Sequence, residues 1–188
     1  MKLFNIKNII RLLAALFITV TIVSCQRDNS SEEDDLPQEE LTNIVLLVTD
    51  DATGTTQTYD YNIGAGGIPT VALTDGKSYT VQTKFKNGNE DVTQEIIDAK
   101  DEHFIIFDFP KSTINITRAD GNASTGSLGK VGLITKWNVV KVVNSSSPFL
   151  KLDLIHAPQS ANPAQNGTAW GSVVGGETDA EAKFNLTN

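Results

Sequence analysis

One cysteine, one methionine and two histidines are all the soft or imidazole ligands that 188 residues contain. A lone thiol excludes an intramolecular disulfide, which needs a second, and a thiol that carries lipid leaves none for a cysteine metal site. With two imidazoles, any tetrahedral metal centre would have to complete itself from carboxylates. A Gly-x-Ser-x-Gly elbow is missing too, so serine hydrolase chemistry has no signature. Basic residues are scarce: 15 Lys and Arg stand against 23 Asp and Glu. Such a surface repels phosphate backbones, and with no basic stripe carrying interleaved aromatics, nucleic acid is not an expected partner. Acids are abundant enough for paired-carboxylate catalysis, but abundance alone reads as solubilising surface, and no enzyme is expected.

Long apolar runs are missing as well. The main one, "LLAALFITVTIV" from Leu12, falls short of the ~20 residues that span a bilayer as a helix. It follows Lys2, Lys7 and Arg11 and precedes "IVSC", and a basic start, an apolar middle and a small residue before the cut are the parts of a secretory signal. Ending on Cys25, the box reads as a lipoprotein signal, with lipid on the sulfur and Cys25 as the first mature residue. An ordinary signal peptide with a nearby cysteine and a short membrane anchor are the alternatives. Lipidation accounts for a lone cysteine in an exported chain, and more than one acyl chain holds a protein firmly on a membrane. Gln26 follows in place of the aspartate of inner-membrane retention, so a lipid-anchored outer-membrane location is expected. Three basic residues and no acid lie in the signal, leaving a mature charge of 12 − 23 = −11.

Residues 1–24 are thus read as signal peptide, 25–40 as a lipidated acidic tether and 41–188 as one domain. The tether, "QRDNSSEEDDLPQEE" after Cys25, has little to bury and much like-sign charge. It would hold the domain roughly 20 Å from the lipid if flexible. Its acids also resemble surface-export signals of bacterial lipoproteins, so exposure at the cell surface is expected.

From Leu41 onward, runs of Val, Ile, Thr, Phe and Tyr are set apart by Gly, Asn, Asp and Pro, the pattern of strands and turns. Eight stretches qualify: "TNIVLLVTD", "TQTYDY", "SYTVQTKFK", "EHFIIFDF", "STINITR", "LITKWNVVKVV", "FLKLDLIHA" and "AEAKFNLT". In the third, Tyr79, Val81 and Phe85 share a side with Thr83; in the seventh, Leu150, Leu152 and Leu154 oppose Lys151 and Asp153. One buried and one wet face is the antiparallel pattern. The single helix candidate is "VTQEIIDAK", with Thr93 placed to cap. The expected fold is an all-β, antiparallel, immunoglobulin-like sandwich of about eight strands with one short helix.

Candidate sites are few. His103 and His156 each sit at a strand end, one entering and one leaving, so antiparallel neighbours would share a rim. With Glu102, Asp101 or Asp153 beside them they could hold a zinc or copper ion; strand-end histidines bonded to backbone carbonyls are the plain alternative. Trp170, among glycines in "NGTAWGSVVGG", and Tyr59, with Tyr61 nearby, are candidates for a ligand-binding aromatic surface. Trp137 reads as core. "GNASTGSLGK" departs from the phosphate-loop pattern at Ser124 and Val131. The loops "YDYNIGAGG" and "TRADGNASTG" lack the terminal glutamate of calcium loops, and turn chemistry fits them better.

Three stretches together, "EDVTQEIIDAKDEHFIIF", "LKLDLIHAPQ" and "GGETDAEAKFNLT", resemble a family of small outer-membrane lipoproteins of flavobacteria and other Bacteroidetes. Its members carry "EDVTEEI", "DEHQ", "LRHQP" and "GETDIEVTF" segments in the same order. The resemblance implies a place beside TonB-dependent receptors and a part in capturing or passing on a metal or small nutrient. His103 and His156 match the family's histidines, and Glu102 and Asp101 its acids. Relatives have a "DxDGDGG" loop where this chain has "YDYNIGAGG", a departure that weakens the metal version. The reading is therefore a non-enzymatic binding module accessory to uptake; the alternative is a structural lipoprotein docking a receptor through a sheet face or edge, without a small ligand.

Overall fold

The computed structural model describes residues 41–144, 147 and 150–188; the signal, Cys25 and the tether lie outside them. Among the described residues, twelve of fourteen strands build two packed sheets, joined by one short α-helix. The first sheet runs in the order β2 (Thr56–Asn62), β1 (Asn43–Asp50), β4 (Ser78–Asn87), β10 (Ile134–Lys141) and β7 (Thr113–Arg118). A short β5 (Glu90–Asp91) adds to β4. The second runs β12 (Ser160–Asn166), β13 (Ala169–Val174), β6 (His103–Asp108), β11 (Leu150–His156), β14 (Glu177–Thr187) and β3 (Thr70–Ala72). Within both sheets every described pairing is antiparallel except β3 on β14. Two-residue strands β8 (Thr125–Gly126) and β9 (Gly129–Lys130) close a separate ribbon. The all-β antiparallel sandwich expected from alternation is the fold.

Alternation fills the space between the sheets. Ile44, Leu46 and Val48 of β1, Tyr79, Val81 and Phe85 of β4 and Trp137 of β10 are buried from one side. Phe107 of β6, Leu150, Leu152 and Leu154 of β11 and Phe184 of β14 meet them from the other. Leu154 and Leu152 lie opposite Ala180 and Ala182, large against small, which lets the layers interdigitate. Trp137 is fully buried at the centre, edge-on to Phe107 at 6.0 Å and to Phe109 at 5.3 Å. Its indole N–H donates to Thr135 Oγ1 at 2.8 Å, so a large apolar body enters the core without an orphaned donor.

The helix, α1 (Thr93–Asp98), is as short as expected, but its cap differs. Val92 is the N-cap residue and no side chain caps it. The Thr93 hydroxyl instead donates to Asp91 Oδ1 at 2.6 Å and accepts the Phe85 N–H at 3.0 Å, joining the helix to β4. Six strands were not foreseen, β12 and β13 among them. β12 contains Pro163 and slips register between Asn162 and Gln165, a bulge that breaks alternation and confines a proline to a sheet edge.

Candidate functional site

The two histidines do meet. β6 and β11 pair so that His103 and His156 are direct cross-strand partners, and their rings stack at 5.1 Å with 19° between planes. Helix α1 ends beside them, and the Ala99 carbonyl lies 3.0 Å from His103 Nδ1. A carbonyl only accepts, so Nδ1 carries a proton. Asp179 of β14 lies under both rings, 3.2 Å from His103 Nε2 and 3.8 Å from His156 Nδ1. Glu102 stands 3.3 Å from His156 Nε2. Each ring nitrogen thus already faces an oxygen. Rings stacked at 5.1 Å and 19° from parallel do not converge on one point, whereas a bound ion needs its ligand nitrogens to converge at about 2.0–2.1 Å. Among the described residues no group of three or more His, Cys, Asp or Glu side chains is placed to hold a metal ion. Of the other two acids expected there, Asp101 accepts the Ser127 N–H and Asp153 pairs with Lys151 at 3.2 Å. Asp179, the bridging acid, was missed because β14 pairs with β11 across a register shift at Leu154/Ile155 that local alternation does not reveal.

The expectation that Trp170 and Tyr59 line one cleft is not met. β2 and β7 are opposite edges of the first sheet, about 19 Å apart at ~4.8 Å per strand spacing. Tyr59, on β2, spends its hydroxyl on Gln57 and on the Ala72 N–H at 3.0 Å, tying the sheet edge to β3. Trp170, on β13, donates its indole N–H to Ile114 O of β7 at 2.8 Å. Their separation follows from strand order, which nothing local in either stretch encodes.

Where β7 faces β13, the sandwich opens into a cleft of about 380 Å³. Its apolar lining is Phe104, Ile116, Leu128, Pro163, Ala164 and Trp170. Because the Trp170 nitrogen is committed to Ile114, the indole offers carbon to the cleft. Pro163 and Ala164 come from the β12 bulge, which re-aims side chains as bulges do. The polar lining is Thr117, Arg118 and Lys130.

Arg118 is the unusual member. It ends β7 on the inward parity of Ile114 and Ile116 and is only 8% exposed. The guanidinium lies over the Phe104 ring, 4.0 Å from its centroid. Nη1 donates to Val131 O at 2.7 Å and Nη2 to Ile105 O at 2.5 Å. No carboxylate among the described residues pairs with it within 4.0 Å. Burial draws its pKa down to about 10, with the charge of Asp120 pulling the other way. Asp120 is itself engaged, accepting backbone N–H groups of Gly132 at 3.1 Å and Leu133 at 2.8 Å. Two glycines make the slot. A Cβ on Gly132 would lie 2.0 Å from Nη1, and one on Gly171 2.9 Å from both Nη2 and the Phe104 ring.

A smaller recess, about 270 Å³, lies between the β1 end and Thr74; its charges are already matched, Lys77 to Asp50 at 2.7 Å. The described residues therefore define an antiparallel β-sandwich with an apolar, cationic cleft at a sheet edge. The chain matches no family model, and no curated protein or solved structure matches it.

Proposed function

We propose that the chain is a lipid-anchored binding module of the bacterial cell envelope, holding a small organic nutrient in the β7–β13 cleft as an accessory to outer-membrane uptake. The observation that carries this reading is the cleft itself: its volume falls in the lower range of small-molecule sites, roughly 300–1,000 Å³, and its lining is apolar with a few fixed polar groups. An organic ligand is favoured over zinc or copper because the histidine nitrogens already face hydrogen-bonding oxygens. The anchor rests on the Cys25 signal, and a TonB-dependent receptor is the partner that the family resemblance implies.

The test fills the cleft. Ala164→Trp places a large ring at its exposed bulge, and small molecules retained from growth medium by the mature chain, made from Gln26 onward, are compared with those retained by the variant. A compound lost on filling supports the reading, whereas identical retention refutes it. Metabolic labelling with an alkyne fatty acid checks the anchor: label should follow Cys25 and vanish in Cys25→Ser.

A further inference from the structure

The cleft runs against the charge of the molecule around it. In a chain of formal net charge −8, its lining contains two cations, Arg118 and Lys130, and no acid. Resting on the reading of the cleft as a ligand site, we propose that it selects compounds in which a ring carries a carboxylate, the ring against Trp170 and the carboxylate at Arg118.

Three observations lead there. Arg118 is a desolvated cation bound to two neutral carbonyls and stacked on a ring; it feels the charge of Asp120 but makes no direct ion pair among the described residues. A guanidinium has five N–H donors and those two carbonyls take two, so donors remain for a carboxylate. Lys130, exposed at the mouth, is fixed by a 3.0 Å bond from Nζ to Arg118 O, which sets a second positive charge beside the first. The nearest compensating acid, Asp120, accepts N–H groups of Gly132, Leu133 and Ile134 and is not a wall of the cleft. The apolar lining then asks for a ring body, not a bare ion.

The test uses matched pairs on the mature chain: phenylacetate against phenylacetamide, and galacturonate against galactose. Binding is read from the indole N–H resonance of Trp170, identified by its loss in Trp170→Phe; Trp137, sealed in the core, gives the internal reference. The expected result is that a carboxylate moves the Trp170 signal and its neutral counterpart binds about 10- to 100-fold more weakly, the range for losing a charged hydrogen-bond partner. Lys130→Gln should weaken carboxylate binding a few-fold, as an exposed charge does, and leave the neutral compounds unchanged. Arg118→Lys keeps the charge but not the guanidinium, and should lose most of the discrimination. Should that variant fail to fold, the matched pairs and Lys130→Gln still decide. Equal binding of acid and amide would overturn the proposal while leaving the small-molecule reading to its own cleft-filling test. No movement with any of the four probes up to about 10 mM, where binding is worth under ~3 kcal/mol, would also overturn it.

Discussion

Replacing Gly132 with alanine perturbs Arg118 without touching it in sequence. Gly132 has φ +101°, and an added Cβ would sit 2.0 Å from Arg118 Nη1, far inside contact distance. Two costs follow. A non-glycine residue held at positive φ costs about 1–2 kcal/mol. Moving the guanidinium away also breaks its bonds to Val131 O and Ile105 O, and a hydrogen bond to a charged group contributes about 1.5–3 kcal/mol. Losing one or both gives a total of roughly 2.5–8 kcal/mol, or about 5–30 °C of melting temperature in a domain of this size. Gly129 provides the control: its φ is +95°, but nothing lies within 4 Å of its would-be Cβ, so Gly129→Ala should show the backbone cost alone. Urea denaturation of both variants gives the difference, expected at about 1.5–6 kcal/mol, the cost of one or both bonds. A double-mutant cycle with Arg118→Met completes the argument, because without the guanidinium Gly132→Ala should fall to the Gly129→Ala value. If the two glycine variants cost the same within ~0.5 kcal/mol, the slot does not hold Arg118 and the account of the cleft's charge fails with it.

Thr83 is fully buried and its Oγ1 finds no hydrogen-bond partner; Thr83→Val removes a hydroxyl at constant shape and should raise stability by about 1 kcal/mol in chemical denaturation. Asp179 lies under both imidazoles at 9% exposure while Glu102 is 51% exposed, so Asp179→Ala should cost about 2–3 kcal/mol and Glu102→Ala under ~1 kcal/mol; the reverse order would refute the bridging role. The side-chain bond from Lys84, with help from Thr93, draws Asp91 down to about 2. A carboxylate depressed in the folded state contributes stability above its ordinary value near 3.8 that is lost as pH falls through about 2. Since the pair is largely exposed, the effect is discounted to below ~1 kcal/mol, and Lys84→Met should flatten the stability profile between pH 2 and pH 4; an unchanged slope would reject the pairing.

The sheets were legible where burial is one-sided. All eight stretches rich in Val, Ile, Thr and aromatics became strands; where they alternate, a two-residue period with one dry face leaves no other regular structure. β12 was not, since "SANPAQN" has neither alternation nor β-branched residues and owes its extension to pairing with β13. β3 likewise exists through its parallel partner β14. Such elements are written in the rest of the molecule, not in their own residues, as β-propensity depends on neighbours.

The site divides the same way. Strand direction alone placed His103 and His156 on one rim, but the stack and its bridging Asp179 depend on a cross-sheet register. Tyr59 and Trp170 share exposed-aromatic surroundings in sequence and nothing in space. Arg118 was within reach: "TINITR" alternates, and Ile114 and Ile116 on one side carry Arg118 with them. A charge on the apolar parity of a strand is costly unless bonded, so it marks either an error of register or a built polar site. What no local pattern could supply is Gly132 and Gly171, drawn from two separate loops and strands to open the slot. The charged residue announces that a partner must exist; only the tertiary structure shows that the partners within the protein are neutral carbonyls, leaving the cation's charge facing a cleft.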